Sequence, residues 1–384
     1  MVVENNLLPS FGKPSHVGVE RGIAEFRAVR PVVVGGDDAP IVVIPVDGMD
    51  GERLAAFATL SAPEPQRLAI TAARAQALGI KTDSPVLLTL TRGLTIASIV
   101  SLATEVCSAS PHQWTPAGAA AEASLDLAKL AHRLPAVLIS GPCAHDPDKF
   151  DPPLVRVDIG AIRRFRHDAI HTLRIAGEAQ VPLDDGVRAR FVVFRDAIGG
   201  DSVAVIVGAP DFAKPVPVRL HSACLTGDVF GSRRCDCGDQ LRLALRRLAA
   251  AGGGIILYLD QEGRGLGLAN KIRAYQLQDA GLDTVDANTT LGFNDDERDY
   301  GVAARMLELL GCPRIELMTN NPAKLNGLAG SGIEIVGRMS LFAPINGDNR
   351  RYLTAKATRA GHSLDYLLDA LAAKDPDGEP ELVR

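Results

Sequence analysis

The sequence predicts an α/β protein of two domains, and three observations carry that prediction. At roughly 150 residues per domain, 384 residues exceed one small module. Hydrophobic residues make up 46% and charged residues 23%, the balance of a globular chain with apolar side chain enough for two cores. Short β-branched runs alternate with Ala- and Leu-rich stretches along its length.

Residues 31–34 and 41–44 are strands, Pro31-Val32-Val33-Val34 and Ile41-Val42-Val43-Ile44, separated by the turn residues Gly35 to Asp38. The Ala-rich stretches 66–79 and 116–133 predict helices, and 84–91 and 136–140 predict strands. Residues 141–153, dense in Pro and Asp, predict a loop or linker, followed by a basic helix with Arg163, Arg164, Arg166 and His167. A second domain opens with strands at 189–195 and 202–208, joined across a segment of hairpin composition. Gly254 to Tyr258 is a compact apolar strand leading to a helix over 268–279 stopped by Gly281. A helix is expected over 296–310 with Gly311 as its stop, then a strand over 314–318 running into Thr319-Asn320-Asn321-Pro322. The division follows: 1–177 as an N-terminal α/β domain, 178–366 as a second domain, and 367–384 as a charged tail.

Several function classes are excluded at this level. Lys plus Arg is 41 and Asp plus Glu is 46, a net charge of −5, so no global basic field exists to hold a nucleic acid or an anionic membrane. Aromatic residues are 4% of the chain, too few for base-stacking platforms. No run of 18 apolar residues and no basic, apolar leader is present, so a cytoplasmic protein is expected. Six cysteines are too few for a disulfide scaffold, and three of them crowd into 14 residues, which suggests a metal.

Those three, Cys224, Cys235 and Cys237, have the spacing C-x10-C-x-C. Three thiolates make three corners of a tetrahedron and leave one corner open, as a catalytic zinc needs, unless a residue such as His221 closes it as a structural site. Arg219 to Ser222 and Gln240 place polar side chains around this metal. The turn Asp260 to Gly267 lies between strand and helix, where glycine backbone, a helix start and Arg264 suit a polyphosphate as well as a plain connection. Asp296-Glu297-Arg298-Asp299 is either ordinary helix-start chemistry or a site in which Arg298 meets phosphate beside an acidic partner.

Taken together, the segments Arg219-Leu220-His221-Ser222-Ala223-Cys224-Leu225-Thr226-Gly227-Asp228, Arg234-Cys235-Asp236-Cys237-Gly238, Gln261-Glu262-Gly263-Arg264-Gly265-Leu266-Gly267-Leu268, Lys271 to Tyr275, Asp296 to Asp299 and Thr319 to Pro322 resemble GTP cyclohydrolase II over about residues 178–366. The resemblance implies a mixed α/β catalytic domain and a homodimer that opens the base ring of a nucleoside triphosphate, with one Zn2+ per subunit and Mg2+ accompanying the triphosphate. By position, Cys224, Cys235 and Cys237 match the metal ligands and Tyr275 a polar catalytic residue. Arg298 matches a phosphoryl-accepting nucleophile with Asp296 as its proton acceptor. Arg219, Leu220, His221, Ser222, Ala223, Gln240, Glu262, Gly263, Arg264, Thr284, Thr319 and Lys324 match the nucleotide contacts.

Two positions depart from the family pattern. Ala223 stands where a Glu is usual and Asp260 where an Arg is usual. A carboxylate at 223 could accept from guanine N1–H and its amino group, whereas uracil presents two carbonyls and one N–H and strands fewer donors there. The N-terminal half offers only a degenerate echo of a dihydroxybutanone phosphate synthase motif at 46–53, and resembles the branch with a distinct N-terminal domain linked to uracil breakdown. UTP is therefore the expected substrate, with ordinary GTP cyclohydrolase II activity, releasing formate and diphosphate for riboflavin biosynthesis, as the alternative. A silent nucleotide-binding regulator is a further alternative, which would be expected to lack Tyr275, Arg298 or a zinc cysteine.

Overall fold

A computed structural model describes residues 12–36, 40–63, 65–91, 93–106, 113–142, 147–197 and 199–359. Cys107, Cys143, the middle of the expected linker and the expected tail lie outside the described residues. The fold is mixed α/β, with two seven-stranded sheets and 13 helices among the described residues. The first sheet contains β1 (Val32–Gly35), β2 (Ile41–Pro45), β3 (Arg67–Ile70), β4 (Val86–Thr89), β5 (Trp114–Pro116), β6 (Ala136–Pro142) and β7 (Arg156–Asp158). The second contains β8 (Arg174–Pro182), β9 (Arg188–Arg195), β10 (Asp201–Gly208), β11 (Val216–Ser222), β12 (Gly253–Leu259), β13 (Arg314–Met318) and β14 (Glu334–Met339). The helices are α1 (Pro14–Arg27), α2 (Gly51–Ser61), α3 (Ala72–Ala77), α4 (Ile96–Thr104), α5 (Ala119–Leu130), α6 (Ile159–Ile170), α7 (Leu225–Asp228), α8 (Cys237–Ala250), α9 (Leu268–Asp279), α10 (Thr284–Thr290), α11 (Gly301–Leu309), α12 (Pro322–Ala329) and α13 (Arg350–Thr358). None of the described helices is long and apolar enough to cross a membrane.

The chain separates into two compact units, and the division is not linear. The first gathers residues 1–172 with 263–282 and 286–298; the second gathers 173–262, 283–285 and 299–384. In the first unit the strand order is β5-β4-β3-β6-β2-β1-β7, antiparallel except for the parallel pair β1 and β7. Val42, Ile44, Leu68, Ile70, Val86, Leu88 and Leu138 bury one core there. A smaller cluster of Leu134, Leu266, Ala274, Ala287, Leu291 and Phe293 ties the inserted segments into the unit.

In the second unit the order is β14-β13-β11-β12-β10-β9-β8. The first four strands run parallel and the last three join by antiparallel ladders, beginning with the β9–β10 hairpin expected from the sequence. Parallel strands align their carboxyl ends on one edge, where open α/β sheets bind ligands. Here those ends are Ser222, Leu259 and Met318, and the polar motif residues follow directly from them.

Two expected helices are corrected. Residues 67–70 form β3, not the start of a helix, because Arg67 to Ile70 pairs with β4 on one side and β6 on the other, and Thr71 then caps α3 through the Arg74 N–H. The helix expected from 296 begins only at Gly301. Asp296 Oδ1 accepts from the Arg298 N–H at 3.0 Å and Asp299 Oδ1 from the Gly301 N–H at 2.8 Å, so local side-chain turns hold these backbone donors ahead of the helix.

Candidate active site

Within the second unit the site is built from the end of β11 outward. Cys224 follows that strand, α7 turns the chain back, and Cys235 and Cys237 lead into α8. Their three Sγ atoms lie within 4.8 Å of one another, Cys224 and Cys235 at 3.6 Å, and both of these are buried. Among the described residues this is the group of His, Cys, Asp and Glu side chains placed to hold an ion. Two glycines make the cradle possible by close approach. A Cβ on Gly227 would stand 2.9 Å from the Cys235 Sγ and 3.1 Å from the Cys224 Sγ, and one on Gly238 would stand 2.2 Å from the Gly227 carbonyl oxygen.

The chemistry of the donor set fits zinc. Hydrogen bonding with Cys224 pushes the Cys235 thiol up to about 11, and Cys224 and Cys235 with burial push Cys237 well above its ordinary value. A divalent cation among the three sulfurs reverses this, stabilising thiolates at the usual Zn–S reach of about 2.3 Å.

Beside the thiols sits a buried polar network. His221 Nε2 lies 3.1 Å from both carboxylate oxygens of Asp228, and its ring stacks on Tyr258 with centroids 5.4 Å apart. Asp228 Oδ2 also accepts from the Cys224 N–H at 3.0 Å and the Tyr258 hydroxyl at 2.9 Å. Burial holds the His221 imidazole below its ordinary value despite that carboxylate. His221 Nδ1 and Ser222 Oγ are buried without a hydrogen-bond partner.

Arg219 donates to the Met318 carbonyl at 3.2 Å and to Gln240, whose amide in turn reaches Asp236. Lys324 donates to the Leu220 carbonyl at 2.7 Å, and Glu262 accepts from the Leu225 N–H at 2.7 Å. The Leu220 side chain is fully buried in the hydrophobic core, leaving only its backbone to a ligand. Thr319 is buried and accepts from the Asn321 N–H, Ala223 donates its N–H to the Leu259 carbonyl at 2.8 Å, and Thr284 opens α10.

The other predicted residues fall in the first unit. Gly263, Arg264 and Gly265 all take left-handed backbone, with φ of 62°, 61° and 89°. For Arg264 that conformation costs about 1 kcal/mol or more. The cost is met by its Nη1, 2.6 Å from Asp295 Oδ1, and by its carbonyl, which accepts from the Glu297 N–H at 3.1 Å. Arg298 forms a two-pronged pair with Asp296, Nε to Oδ1 at 2.8 Å and Nη2 to Oδ2 at 2.5 Å. Burial works to raise the Asp296 carboxyl, yet the Arg298 hydrogen bonds and charge hold it below the ordinary carboxylate value. Tyr275 lies in α9 with the Lys271 ammonium 5.7 Å from its ring centre.

Sequence reasoning gave no role to Asp228, Tyr258 or Asp295. Asp228 closes the quoted run from Arg219, and its spacing of seven from His221 was the available signal; Tyr258 and Asp295 are linked to their partners only by the fold.

Comparison with known proteins bears on this arrangement. The GTP cyclohydrolase II family matches residues 173–340. The chain is 40% identical over 376 residues to a GTP cyclohydrolase-2 of Xylella fastidiosa (strain 9a5c), covering 97% of this chain and 94% of that protein. A GTP cyclohydrolase-2 of Azotobacter vinelandii (strain DJ / ATCC BAA-1303) is 52% identical over 189 residues, 49% of this chain and 91% of its own length. The riboflavin biosynthesis protein RibBA of Bacillus cereus (strain G9842) is 42% identical over 256 residues, 64% of each chain.

Proposed function

Because the chain belongs to the GTP cyclohydrolase II family, hydrolases of carbon–nitrogen bonds in cyclic amidines, we propose that it opens the base ring of GTP and releases formate and diphosphate, in riboflavin biosynthesis. The observation that carries this reading is the convergence of three thiols at the carboxyl end of β11. The expectation of UTP loses its support from domain organisation, since the Xylella fastidiosa relative matches 97% of this chain, N-terminal region included, and is named for GTP. Ala223 alone still favours uracil.

In this reading Cys224, Cys235 and Cys237 hold the zinc, which supplies Lewis acidity and lowers the pKa of water at the ring. Asp228 fixes the His221 ring and, through the Cys224 N–H, the backbone of the first ligand. Asp296 orients the Arg298 guanidinium and is the acceptor placed to take its proton when Arg298 meets the phosphoryl group. Arg219, Leu220, Ser222, Ala223, Gln240, Glu262, Gly263, Arg264, Thr284, Thr319 and Lys324 bind the nucleotide, and Tyr275 acts near the ring. Magnesium accompanies the triphosphate, and a cytoplasmic homodimer completes the reading. In sequence the chain divides in this reading into an N-terminal module over 1–177 and a catalytic module over 178–366.

The test incubates zinc-loaded protein separately with GTP and with UTP and follows base absorbance, formate and diphosphate. Formate and diphosphate from GTP are expected. Ring opening of UTP with GTP untouched would restore the uracil reading, and no turnover of either would leave a nucleotide-binding regulator.

A further inference from the structure

Residues 286–298 pack in the first unit although they fall within the family's span of 173–340. The loop from Asn294 to Tyr300 has neither helix nor strand to hold it. Its fixed point is Glu297. The Lys129 ammonium, from α5, donates to Glu297 Oε1 at 2.7 Å, and the two side chains are only 15% and 12% exposed. The same oxygen accepts from the Asn294 N–H at 2.9 Å, bracing the start of the loop. Arg166, from α6, donates to the Glu297 carbonyl at 3.1 Å. A Cβ on Gly265 would stand 2.9 Å from that carbonyl oxygen, so the glycine turn closes the remaining side.

A surface ion pair contributes little, but a pair this sheltered leaves an uncompensated charge when one member is removed, and the loop must then move. Glu297 lies between Asp296 and Arg298 in the chain, so any shift of its carbonyl or side chain re-aims the two-pronged pair on either side. Displacement of a reacting group by about 1 Å can cost on the order of a hundredfold in rate.

We propose that Lys129 is a positioning residue of the reaction, its ion pair with Glu297 setting the Asp296–Arg298 pair in register, so that residues 1–172 serve as a scaffold for the phosphoryl half of the chemistry. This rests on the roles proposed above for Asp296 and Arg298. The Azotobacter vinelandii relative matches only 49% of this chain, so the scaffold would belong to the long form of the family.

The test measures kcat and KM for diphosphate release from GTP, together with zinc content and thermal midpoint, in the full-length protein. Lys129→Met and Glu297→Gln are expected to lower kcat about tenfold or more, with KM within about twofold and zinc content unchanged. Lys129→Arg, which restores the cation, is expected to recover most of the rate. Glu297→Gln keeps the acceptor for Asn294 and decides the matter if Lys129→Met does not fold. Wild-type kcat in Glu297→Gln, or a loss that Lys129→Arg does not recover, overturns the proposal. Arg298→Ala separates the two levels: if it stays active the reading of Arg298 is wrong, and if it is dead while Glu297→Gln is fully active only the positioning role is wrong.

Discussion

The thiol cradle and the Arg298 loop are assembled from opposite kinds of sequence. Cys224, Cys235, His221 and Asp228 meet through separations of 4, 7 and 11 residues along one stretch of chain. The Arg298 loop is fixed by partners 131 and 168 residues away. The first cluster therefore depends mainly on local backbone shape, whereas the second depends on the packing of a whole unit.

That contrast can be broken most severely at the cradle itself. Cys235→Ser is expected to lose stoichiometric zinc and to bring turnover below about 1% of wild type, because a three-thiolate site that loses one ligand loses most of its affinity. Metal analysis beside an activity assay checks it, and full zinc with full turnover would sink the ligand assignment. Arg298→Ala should cost about 10²–10³ in diphosphate release while zinc stays bound. Arg298→Lys should not rescue it, since a point ammonium lacks the planar fork; a near-normal rate in the lysine variant would refute the role of the guanidinium.

Gly227→Ala probes local shape without replacing a ligand. Its Cβ must displace two sulfurs, so a loss of about ten- to a hundredfold in zinc affinity is expected, read by competition with a chelator. The Asp296–Arg298 pair should show in acid. A carboxyl held below its ordinary 3.8 contributes stability that is complete above that value and is lost as pH falls through the lower folded one. Wild type should exceed Asp296→Asn by about 1 kcal/mol at neutral pH and converge with it as the carboxyl becomes protonated in the folded state, as denaturant midpoints would reveal. At the base, Ala223→Glu should move the GTP to UTP preference toward GTP by about 1–3 kcal/mol in kcat/KM, and an unchanged ratio would remove Ala223 from base recognition.

Legibility in the sequence follows the same division. The helix over 268–279 was readable to its ends because its pattern is periodic and Gly281 stops it, and Cys224, Cys235 and Cys237 were readable because their chemistry and spacing are local. Residues 67–70 were misread because alanine content near a helix outweighed β-pairing that only distant strands reveal. The loop at 296–300 was misread because acidic residues that favour a helix start can satisfy the same backbone donors without a helix. Lys129 carries no sequence signal at all, its partner being 168 residues ahead.

The inserted segments also set the order of events at the ribosome. Leu134 must wait for Leu266, Ala274 and Phe293, and the buried Arg74 for the Thr290 carbonyl that accepts a hydrogen bond from it at 2.9 Å. At a synthesis rate of about 10 residues per second, Leu134 is exposed for some 13 seconds before Leu266 is even made. The first-born half is thus not complete until residue 298 has been made, and a nascent chain paused before that point should bind apolar-surface probes that the finished protein does not.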